Sequence, residues 1–495
     1  MKNRLWHILR TSMQFTAGIM AIVLVFSVVY CGFHYSFYGD ELVHMNTAYL
    51  VSVGKRPFID FFTIYSPLFH VLLVPIFRFT GYTFQAVSVA RVIMIVVFFA
   101  RLLVGWLFVS TVFSRRVATL FVLLLLLDPF TVFSGMQIRP DSLYLFVLFL
   151  GLYFLSLFLK RHQQRNLFFA GLCIGLAVVF SVKSLAVVGV LSLFLFFYLA
   201  RMKRVLQVRF YLLGAVIPLA LFCGYFILQG SFTQMTEHLI VYSKAMSDGL
   251  WYPTRLGFFY IPGNTYIYGL GGKPVTWYIA IGLPILAVFG ALFGLFSYKK
   301  HAMRLFWVGT LFCIALAQYC FFYTVRSMFM QYYLGVNWIL AVFTAVFLDI
   351  CVRFWKTKAL ESISETVYFF LFLLVVTVSI QANMLRATAV SMEIEDQRML
   401  QRWSAIPADE PVFPGLLFRP LSQPIPYGYF YPEVPQRIRS GYLPVKTLLE
   451  TNAVRYLLVG DYTMQFFDSA TVAFIRENYV QNHIDSELWV RNNTQ

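Results

Sequence analysis

Charged side chains are scarce in this sequence. They account for 12% of the 495 residues, whereas 60% of the residues are hydrophobic and the mean hydropathy is +0.72. A water-soluble domain does not need so much apolar surface, and the repeated apolar runs approach the length of about twenty residues that crosses a bilayer. The composition therefore predicts an all-α polytopic membrane protein and argues against a soluble enzyme.

Three common kinds of site also lack their sequence signatures. The six cysteines lie in or beside apolar runs without metal-ligand spacing, so they predict neither a disulfide framework nor a zinc site. No glycine-rich phosphate loop precedes a helix, which leaves a nucleotide-using cytoplasmic active site unsupported. The net charge of +17 falls in short loops between apolar runs, a pattern that sets membrane topology. We therefore expect the bilayer, and no nucleic acid, as a partner.

Acidic residues are rare in the long apolar part of the chain. Ten occur in residues 1–390, and three of them, Asp40, Glu41 and Asp60, fall within residues 38–67, just after the first apolar run. Carboxylates beside a bilayer are costly to desolvate, and adjacent like charges repel unless a cation or a polar group holds them. An ordinary solvated loop explains the adjacent pair poorly. The cluster therefore favours a functional site here.

Three short motifs follow one another in this stretch. They are Asp40-Glu41, a Gly-x-x-Pro-x-x-Asp-Phe pattern in residues 54–61, and Tyr-x-Pro-Leu in residues 65–68. Their order resembles the first outer loop of GT-C-type membrane glycosyltransferases, which include the protein O-mannosyltransferases and the bacterial aminoarabinose transferases of lipid A. The resemblance implies a polyprenyl-phosphate-sugar donor. It also implies Asp40 as candidate base, with Glu41 in the catalytic site and Asp60 on the donor side as supporting groups.

Two later positions combine charge with the start or end of an apolar run. By position alone, Asp141 caps a helix and Arg139 snorkels to the interface. The resemblance implies instead that Asp141 joins Asp40 in the catalytic site, while Arg139 pairs with an acid or the donor phosphate. Lys183 needs an anion or water, so phosphate binding and snorkelling both fit it. Arg326 is a further phosphate-binding candidate at the same face.

One departure from the resemblance lies in residues 65–66. They are Tyr-Ser, where the aminoarabinose transferases carry a lysine for the lipid phosphate. This difference argues against aminoarabinose transfer in particular and leaves the phosphate to Lys183, Arg139 or later loops. A divalent cation stays open, because Asp40, Glu41 and Asp141 supply oxygen atoms of the kind that such ions bind.

Apolar runs predict eleven transmembrane helices in a glycosyltransferase domain that spans residues 1–390. The run at 68–79 is too short to cross about 30 Å of hydrocarbon at 1.5 Å per residue, so we expect it to lie along the outer interface. With that choice, every strongly basic short loop lies on the inner side, as the positive-inside rule requires. The sequence thus predicts a multi-pass protein of the cell inner (plasma) membrane. Its N-terminus is cytoplasmic and its catalytic loop, 34–86, lies outside.

Residues 391–495 differ in character from this domain. Nine prolines fall between Pro407 and Pro444 and separate short apolar pieces. Helices are predicted at 444–452 and at 468–478, the second capped by Asp468, with a buried strand at 454–459 between them. We interpret this tail as a small extracytoplasmic α/β domain.

Together these features predict a glycosyltransferase that moves a hexose or pentose from a polyprenyl-phosphate-sugar donor. The expected acceptor is a cell-envelope glycan, lipid or protein at the outer face of the membrane. Two alternatives are a transporter or flippase for lipid-linked saccharides and a polymerase of such saccharides. Transporters place charged sites near the midplane, often within inverted repeats, whereas these acids cluster at one edge and no repeat is visible. A transfer assay with one defined donor separates the three.

Overall fold

Helices fill almost all of the described residues up to 405, and a small sheet follows them. The structure, a computed structural model, describes residues 2–243, 282–324, 330–356, 361–407, 410–414, 423–424 and 445–492, except for the single positions 36, 38, 389, 452 and 466. The order of elements confirms the predicted all-α polytopic architecture with a small α/β part at its end.

In chain order, the described helices up to residue 405 are α1 (Lys2–His34), α2 (Gly39–Ser52), α3 (Pro67–Thr80), α4 (Phe84–Val112), α5 (Arg115–Leu127), α6 (Pro129–Met136), α7 (Pro140–Arg161), α8 (Gln164–Phe180), α9 (Leu185–Arg201), α10 (Val208–Leu228), α11 (Phe232–Thr236), α12 (Leu283–Ser297), α13 (Ala302–Thr324), α14 (Leu334–Lys356), α15 (Glu361–Ala387) and α16 (Val390–Ala405). Among these residues, eight helices are long and apolar enough to cross a membrane, namely α1, α4, α7, α9, α10, α13, α14 and α15. The other three predicted crossings also fall on helices, which are shorter (α8 and α12) or divided (α5 with α6).

Helix α3 covers the apolar run that is predicted not to cross the bilayer. Its 14 residues give a length of roughly 21 Å at 1.5 Å per residue, short of the hydrocarbon thickness of about 30 Å. Pro67 starts the helix, where a missing N–H costs nothing, and Gly81 follows it with a φ of 63°. The position of α3 along the outer interface stays a prediction.

The third predicted crossing is divided at Asp128-Pro129. Helix α5 ends at Leu127 and α6 begins at Pro129, because proline disfavours a helical conformation in the residue before it. The Asp128 carboxylate accepts hydrogen bonds from Thr131 Oγ1 and, over 2.8 Å, from Asn337 Nδ2. The Asp128-Pro129 pair thus interrupts the helix inside this crossing.

Helices α8 and α10 approach each other closely through glycine. A Cβ at Gly171 would lie 2.0 Å from the Tyr211 carbonyl oxygen, and one at Gly214 would lie 2.2 Å from that of Phe168. Small residues at a helix crossing let two backbones pack closely, which is how apolar helices associate where the hydrophobic effect is weak. The contact fixes the pair of helices next to the segment that carries Lys183.

A five-stranded mixed sheet forms the C-terminal part. Its strands are β1 (Pro411–Pro414), β2 (Gln423–Pro424), β3 (Tyr456–Leu458), β4 (Tyr479–Gln481) and β5 (Leu488–Arg491), arranged β2-β1-β3-β5-β4. Strand β1 pairs in parallel with β2 and β3, whereas β5 is antiparallel to β3 and β4. Three helices accompany the sheet, namely α17 (Val445–Thr451), α18 (Asp461–Met464) and α19 (Ser469–Asn478).

The elements predicted for this tail are confirmed. Helix α17 and strand β3 lie inside the predicted ranges, and all three residues of β3 are buried. Asp468 is the N-cap of α19, and its carboxylate accepts a 2.7 Å hydrogen bond from the Thr471 backbone N–H.

Helix α16 contacts both parts of the chain. Met399 packs in the core of the long helices, and the Trp403 ring meets Phe84 edge to face at 5.6 Å. On the same helix, the buried Arg402 guanidinium binds the carboxylates of Asp485 and Glu487 beside the sheet. The sheet is therefore tied to the helices by ionic as well as apolar contacts.

Candidate active site

The stretch predicted as an outer loop contains two helices. Asp40 and Glu41 form the first turn of α2, where the backbone N–H groups and the positive end of the helix dipole favour carboxylates. Both side chains are nonetheless buried, since α2 packs on α3 and α4. A buried carboxylate needs a cation or hydrogen-bond donors, and each of these two has a different arginine.

Four charged side chains from three segments form an alternating row. Arg139 Nη1 lies 2.7 Å from Asp40 Oδ2, and Arg139 Nε lies 3.5 Å from Asp141 Oδ2. The other Asp141 oxygen, Oδ1, accepts a 3.1 Å hydrogen bond from Lys183 Nζ. The row Asp40–Arg139–Asp141–Lys183 carries two negative and two positive charges. The structure thus brings together four of the residues that were predicted for the site.

Glu41 occupies a different environment. Its Oε1 accepts hydrogen bonds from Arg91 Nε over 2.8 Å and from the Ile138 backbone N–H over 2.9 Å, and its Oε2 pairs with Arg91 Nη2. The carboxylate is fully buried among these donors. Because Ile138 directly precedes Arg139, this contact fixes the backbone that presents Arg139 to Asp40. Glu41 thus contacts Arg91 and the backbone before Arg139 and is not a member of the charged row.

Arg91 was not singled out from the sequence. It lies in α4, and its Nη1 donates to the carbonyl oxygens of Gly32 and Tyr35, both over 3.3 Å. Its guanidinium also sits 4.0 Å from the centre of the Tyr35 ring. It therefore joins the end of α1 to the start of α2. The sequence does contain a signal for Arg91, because an arginine inside an apolar span must have an anionic or carbonyl partner.

Lys183 is the most exposed member of the row. The side chains of Asp40, Arg139 and Asp141 are each at most 8% exposed, whereas that of Lys183 is 33% exposed. Lys183 and Asp141 line a small cavity together with Tyr144, Gln318, Phe321, Tyr332 and Gly335. Lys183 Nζ also lies 4.5 Å from the centre of the Tyr332 ring. Lys183 is therefore the cation of the row that borders this cavity, whereas Arg139 is not part of its lining.

Two aromatic side chains beside Asp40 were also missed. His44 follows Asp40 by four residues on α2, so both project from one face, and its ring lies 4.4 Å from that of Tyr65. His44 Nδ1 and His70 Nε2 are 3.0 Å apart. Burial, followed by the nearby His70, lowers the pKa of His44 well below its ordinary value, so its imidazole is neutral. Burial and the charge of Asp40 raise the pKa of Tyr65 well above 10, so its phenol stays protonated.

Two other predicted site residues lie elsewhere. Asp60 pairs with Arg56, whose backbone N–H donates to Asp60 Oδ2 over 2.6 Å and whose guanidinium contacts both carboxylate oxygens. These hydrogen bonds lower the pKa of Asp60, against a smaller opposing effect of burial. The carboxylate is thus part of a turn before α3 and is not in the row. Arg326 lies outside the described residues.

The described part of the chain contains no cluster of side chains suited to a metal ion. No group of three or more His, Cys, Asp or Glu side chains in these residues has the arrangement of a metal site. The carboxylates of Asp40, Glu41 and Asp141 each face a cationic side chain of the protein itself.

The helical bundle with its terminal sheet has a GT-C-type fold that known structures share. Two crystal structures of ArnT from Cupriavidus metallidurans share it. The apo form superposes with a TM-score of 0.59 at 14% identity and covers 97% of this chain and 98% of that chain. The form bound to undecaprenyl phosphate gives 0.58 at 13% identity and covers 96% of both chains. The apo oligosaccharyltransferase of Archaeoglobus fulgidus gives 0.52 at 13% identity and covers 96% of this chain and 75% of that chain.

A family model provides a sequence-level comparison. Residues 65–227 match the family described as dolichyl-phosphate-mannose-protein mannosyltransferase, and a search of curated proteins finds no match. The matched segment contains Arg139, Asp141 and Lys183 but begins after Asp40 and Glu41. It therefore includes one acid of the charged row and both of its cations.

Proposed function

We propose that this protein is a glycosyltransferase that uses a polyprenyl-phosphate-sugar donor. The row Asp40–Arg139–Asp141–Lys183 is the observation that carries the proposal. Buried charges beside a bilayer are costly, and here carboxylates and cations alternate next to a cavity at the end of a membrane bundle. Glycosyl transfer from a lipid phosphate needs both kinds of group, a base for the acceptor and cations for the leaving phosphate.

Asp40 has the chemistry of the base in this reaction. An acceptor hydroxyl attacks the anomeric carbon of the sugar and passes its proton to the Asp40 carboxylate, while the bond between that carbon and the phosphate oxygen breaks. The configuration inverts, and polyprenyl phosphate leaves with the bonding electron pair. A phosphate is a good leaving group when cations hold its charge, so no second carboxylic acid has to protonate it.

Lys183 and Arg139 supply that positive charge. Lys183 is the most exposed member of the row and borders the cavity, so it meets the phosphate first. Arg139 lies between the two acids, and the fork of its guanidinium allows it to hold Asp40 while it also reaches an anion. ArnT of the same fold was crystallised with undecaprenyl phosphate, a lipid phosphate of the kind that this reaction releases.

The acceptor is proposed only as a class, a cell-envelope glycan, lipid or protein at the outer face of a plasma membrane. The orientation rests on the positive-inside pattern, which places the row and the C-terminal sheet outside. Nucleotide sugars are scarce there, whereas a prenyl tail retains its sugar beside the membrane. The position of the acids at one end of the bundle favours transfer over transport through the midplane.

A reconstituted transfer assay tests this function. The purified protein is placed in proteoliposomes with a polyprenyl phosphate that carries a radiolabelled sugar, and envelope extract is supplied as acceptor. We expect label to leave the lipid and appear on an extract component, with the parent protein but not with the Asp40→Asn variant. Movement of intact donor across the bilayer without bond cleavage would identify a flippase, and a ladder of saccharides on lipid would identify a polymerase. Equally efficient transfer from the matching nucleotide sugar would contradict the proposed donor.

A further inference from the structure

A second charged cavity lies at the opposite end of the helices. Its volume is about 270 Å³, and its charged lining consists of Arg116, Arg304, Arg353 and Asp349, with Phe113, Ser114 and Tyr298 beside them. The length of helix α4 gives the distance between this cavity and the candidate active site. Arg91 binds Glu41 near its start and Val112 ends it, which corresponds to roughly 32 Å at 1.5 Å per residue. The two cavities are thus about one membrane thickness apart.

Positive charge exceeds negative charge in this cavity. Asp349 pairs with both Arg116, at 3.5 Å, and Arg353 on the next turn of α14. Arg304 instead donates to two backbone carbonyl oxygens, those of Val112 over 3.2 Å and Phe113 over 2.9 Å. Within the described residues no carboxylate pairs with Arg304. One acid therefore faces three guanidinium groups.

Contacts with neighbouring residues fix the positions of the side chains in this cavity. Arg304 is held by the end of α4 and by the Tyr298 ring, 5.1 Å from its guanidinium, and Tyr298 itself is buried. Ser114, the N-cap of α5, also lines the cavity, and the first turn of that helix adds the positive end of its dipole. The side chains of Arg116 and Arg353 are about half exposed, at 51% and 53%, so they are open to a ligand from solution or from the bilayer surface.

We propose that this cavity binds a phosphate-bearing anion, either the headgroup of an anionic phospholipid or free phosphate. Guanidinium groups match phosphate oxygens in pairs of parallel hydrogen bonds, and three of them converge here from α5, α13 and α14. The cavity volume of about 270 Å³ leaves room for a hydrated phosphate group. A bound anion neutralises the excess charge and holds the ends of these helices together. This binding is independent of glycosyl transfer at the other end.

The experiment compares two neighbouring arginines. Arg116 lines the cavity, whereas Arg115 is exposed and does not, so Arg116→Gln and Arg115→Gln remove the same charge at adjacent positions. Arg353→Gln is a second test variant on another helix, and in either cavity variant Asp349 keeps one arginine partner. Native mass spectrometry of the full chain in detergent measures binding of phosphatidylglycerol and, for comparison, of uncharged-headgroup phosphatidylcholine. Titration calorimetry with inorganic phosphate forms the second arm.

We expect the parent protein to retain phosphatidylglycerol over phosphatidylcholine, or to bind inorganic phosphate, or both. The lipid arm alone identifies a headgroup site, and the phosphate arm alone identifies a site for a soluble anion. Arg116→Gln and Arg353→Gln should each weaken binding about three- to tenfold, because partial exposure and salt screening reduce the contribution of a single arginine. Arg115→Gln should change binding less than twofold by the same screening argument. The proposal is overturned if neither probe binds, or if Arg115→Gln weakens binding as much as the cavity variants.

Discussion

Arg139 Nη1 lies 2.7 Å from Asp40 Oδ2, although the two residues belong to different helical segments and are distant in sequence. The backbone N–H of the preceding residue, Ile138, is bound by Glu41, the neighbour of Asp40. Asp40 and Glu41 therefore both bind the segment Ile138–Arg139. Glu41 holds its backbone while Asp40 binds its side chain. This division explains how adjacent like charges coexist in a buried site.

Replacing Asp40 by Asn should reduce glycosyl transfer by about 100-fold or more, since an amide does not accept the acceptor's proton. The transfer rate of purified protein at saturating donor measures the effect. Asp461→Asn is the matched control, because Asp461 is an exposed carboxylate beside the C-terminal sheet. Size-exclusion chromatography and thermal unfolding confirm that both variants fold. Near-parental turnover of folded Asp40→Asn would refute its role as the base.

The Arg91–Glu41 pair should behave as a coupled unit in stability. Arg91→Gln leaves a buried carboxylate without its cation and should cost about 3–5 kcal/mol of unfolding free energy, whereas adding Glu41→Gln should recover much of that loss. Denaturant unfolding in detergent of both single variants and the double variant gives the coupling energy. Simple additivity of the two single effects would show that the ion pair does not contribute as the geometry indicates.

Lys183→Met should weaken donor binding about tenfold, because a charge-assisted contact with phosphate is worth about 1.5–3 kcal/mol and partial exposure places Lys183 at the lower end. The dependence of transfer rate on the concentration of polyprenyl-phosphate sugar measures this change. The acceptor dependence should stay the same. Lys160→Met, at the exposed far end of α7, serves as the control. A loss confined to acceptor affinity would move Lys183 to the other substrate.

Cysteine labelling tests the predicted orientation of the protein in the membrane. In a variant without the native cysteines, a cysteine at Gln85 should react with an impermeant thiol reagent from outside the cell, and one at Arg115 should not. Both positions are exposed and lie at opposite ends of the α4–α5 hairpin. The reverse pattern would mean that α3 crosses the bilayer.

A fall in pH should weaken the Arg402–Asp485 contact that ties the C-terminal sheet to the helices. Burial raises the pKa of Asp485, but the hydrogen bonds and charge of Arg402 outweigh it, and the net pKa is lowered. A lowered carboxyl pKa contributes stability above the unfolded value of about 3.9 and loses it as the pH falls further. Hydrogen exchange of strands β3 and β5, corrected for intrinsic rates, should therefore accelerate at pH 3 relative to pH 6. In the Asp485→Asn variant, the exchange rates at pH 3 and pH 6 should differ less than in the parent protein. An equal difference in both proteins would show that the Arg402–Asp485 pair is not the cause of the acid effect.

The sequence by itself determined the class of the molecule and much of its local structure. Apolar runs near twenty residues long require helices, since a bilayer satisfies no backbone hydrogen bonds, and all predicted crossings fall on helices. The Asp468 cap and the strand before it follow from local patterns and are equally predictable. Asp40, Arg139, Asp141 and Lys183 stood out because charge in such a chain is rare.

Only the tertiary structure decided which of the charged residues act together. Glu41 and Asp60 resemble Asp40 in sequence, yet Glu41 binds Arg91 and a backbone N–H while Asp60 pairs with Arg56 four residues away. A carboxylate's partner is set by the distance and burial that packing creates, and neither is encoded in local spacing. For the same reason, three arginines from separate loops, read from the sequence as topology signals, converge on one cavity only after α5, α13 and α14 have packed.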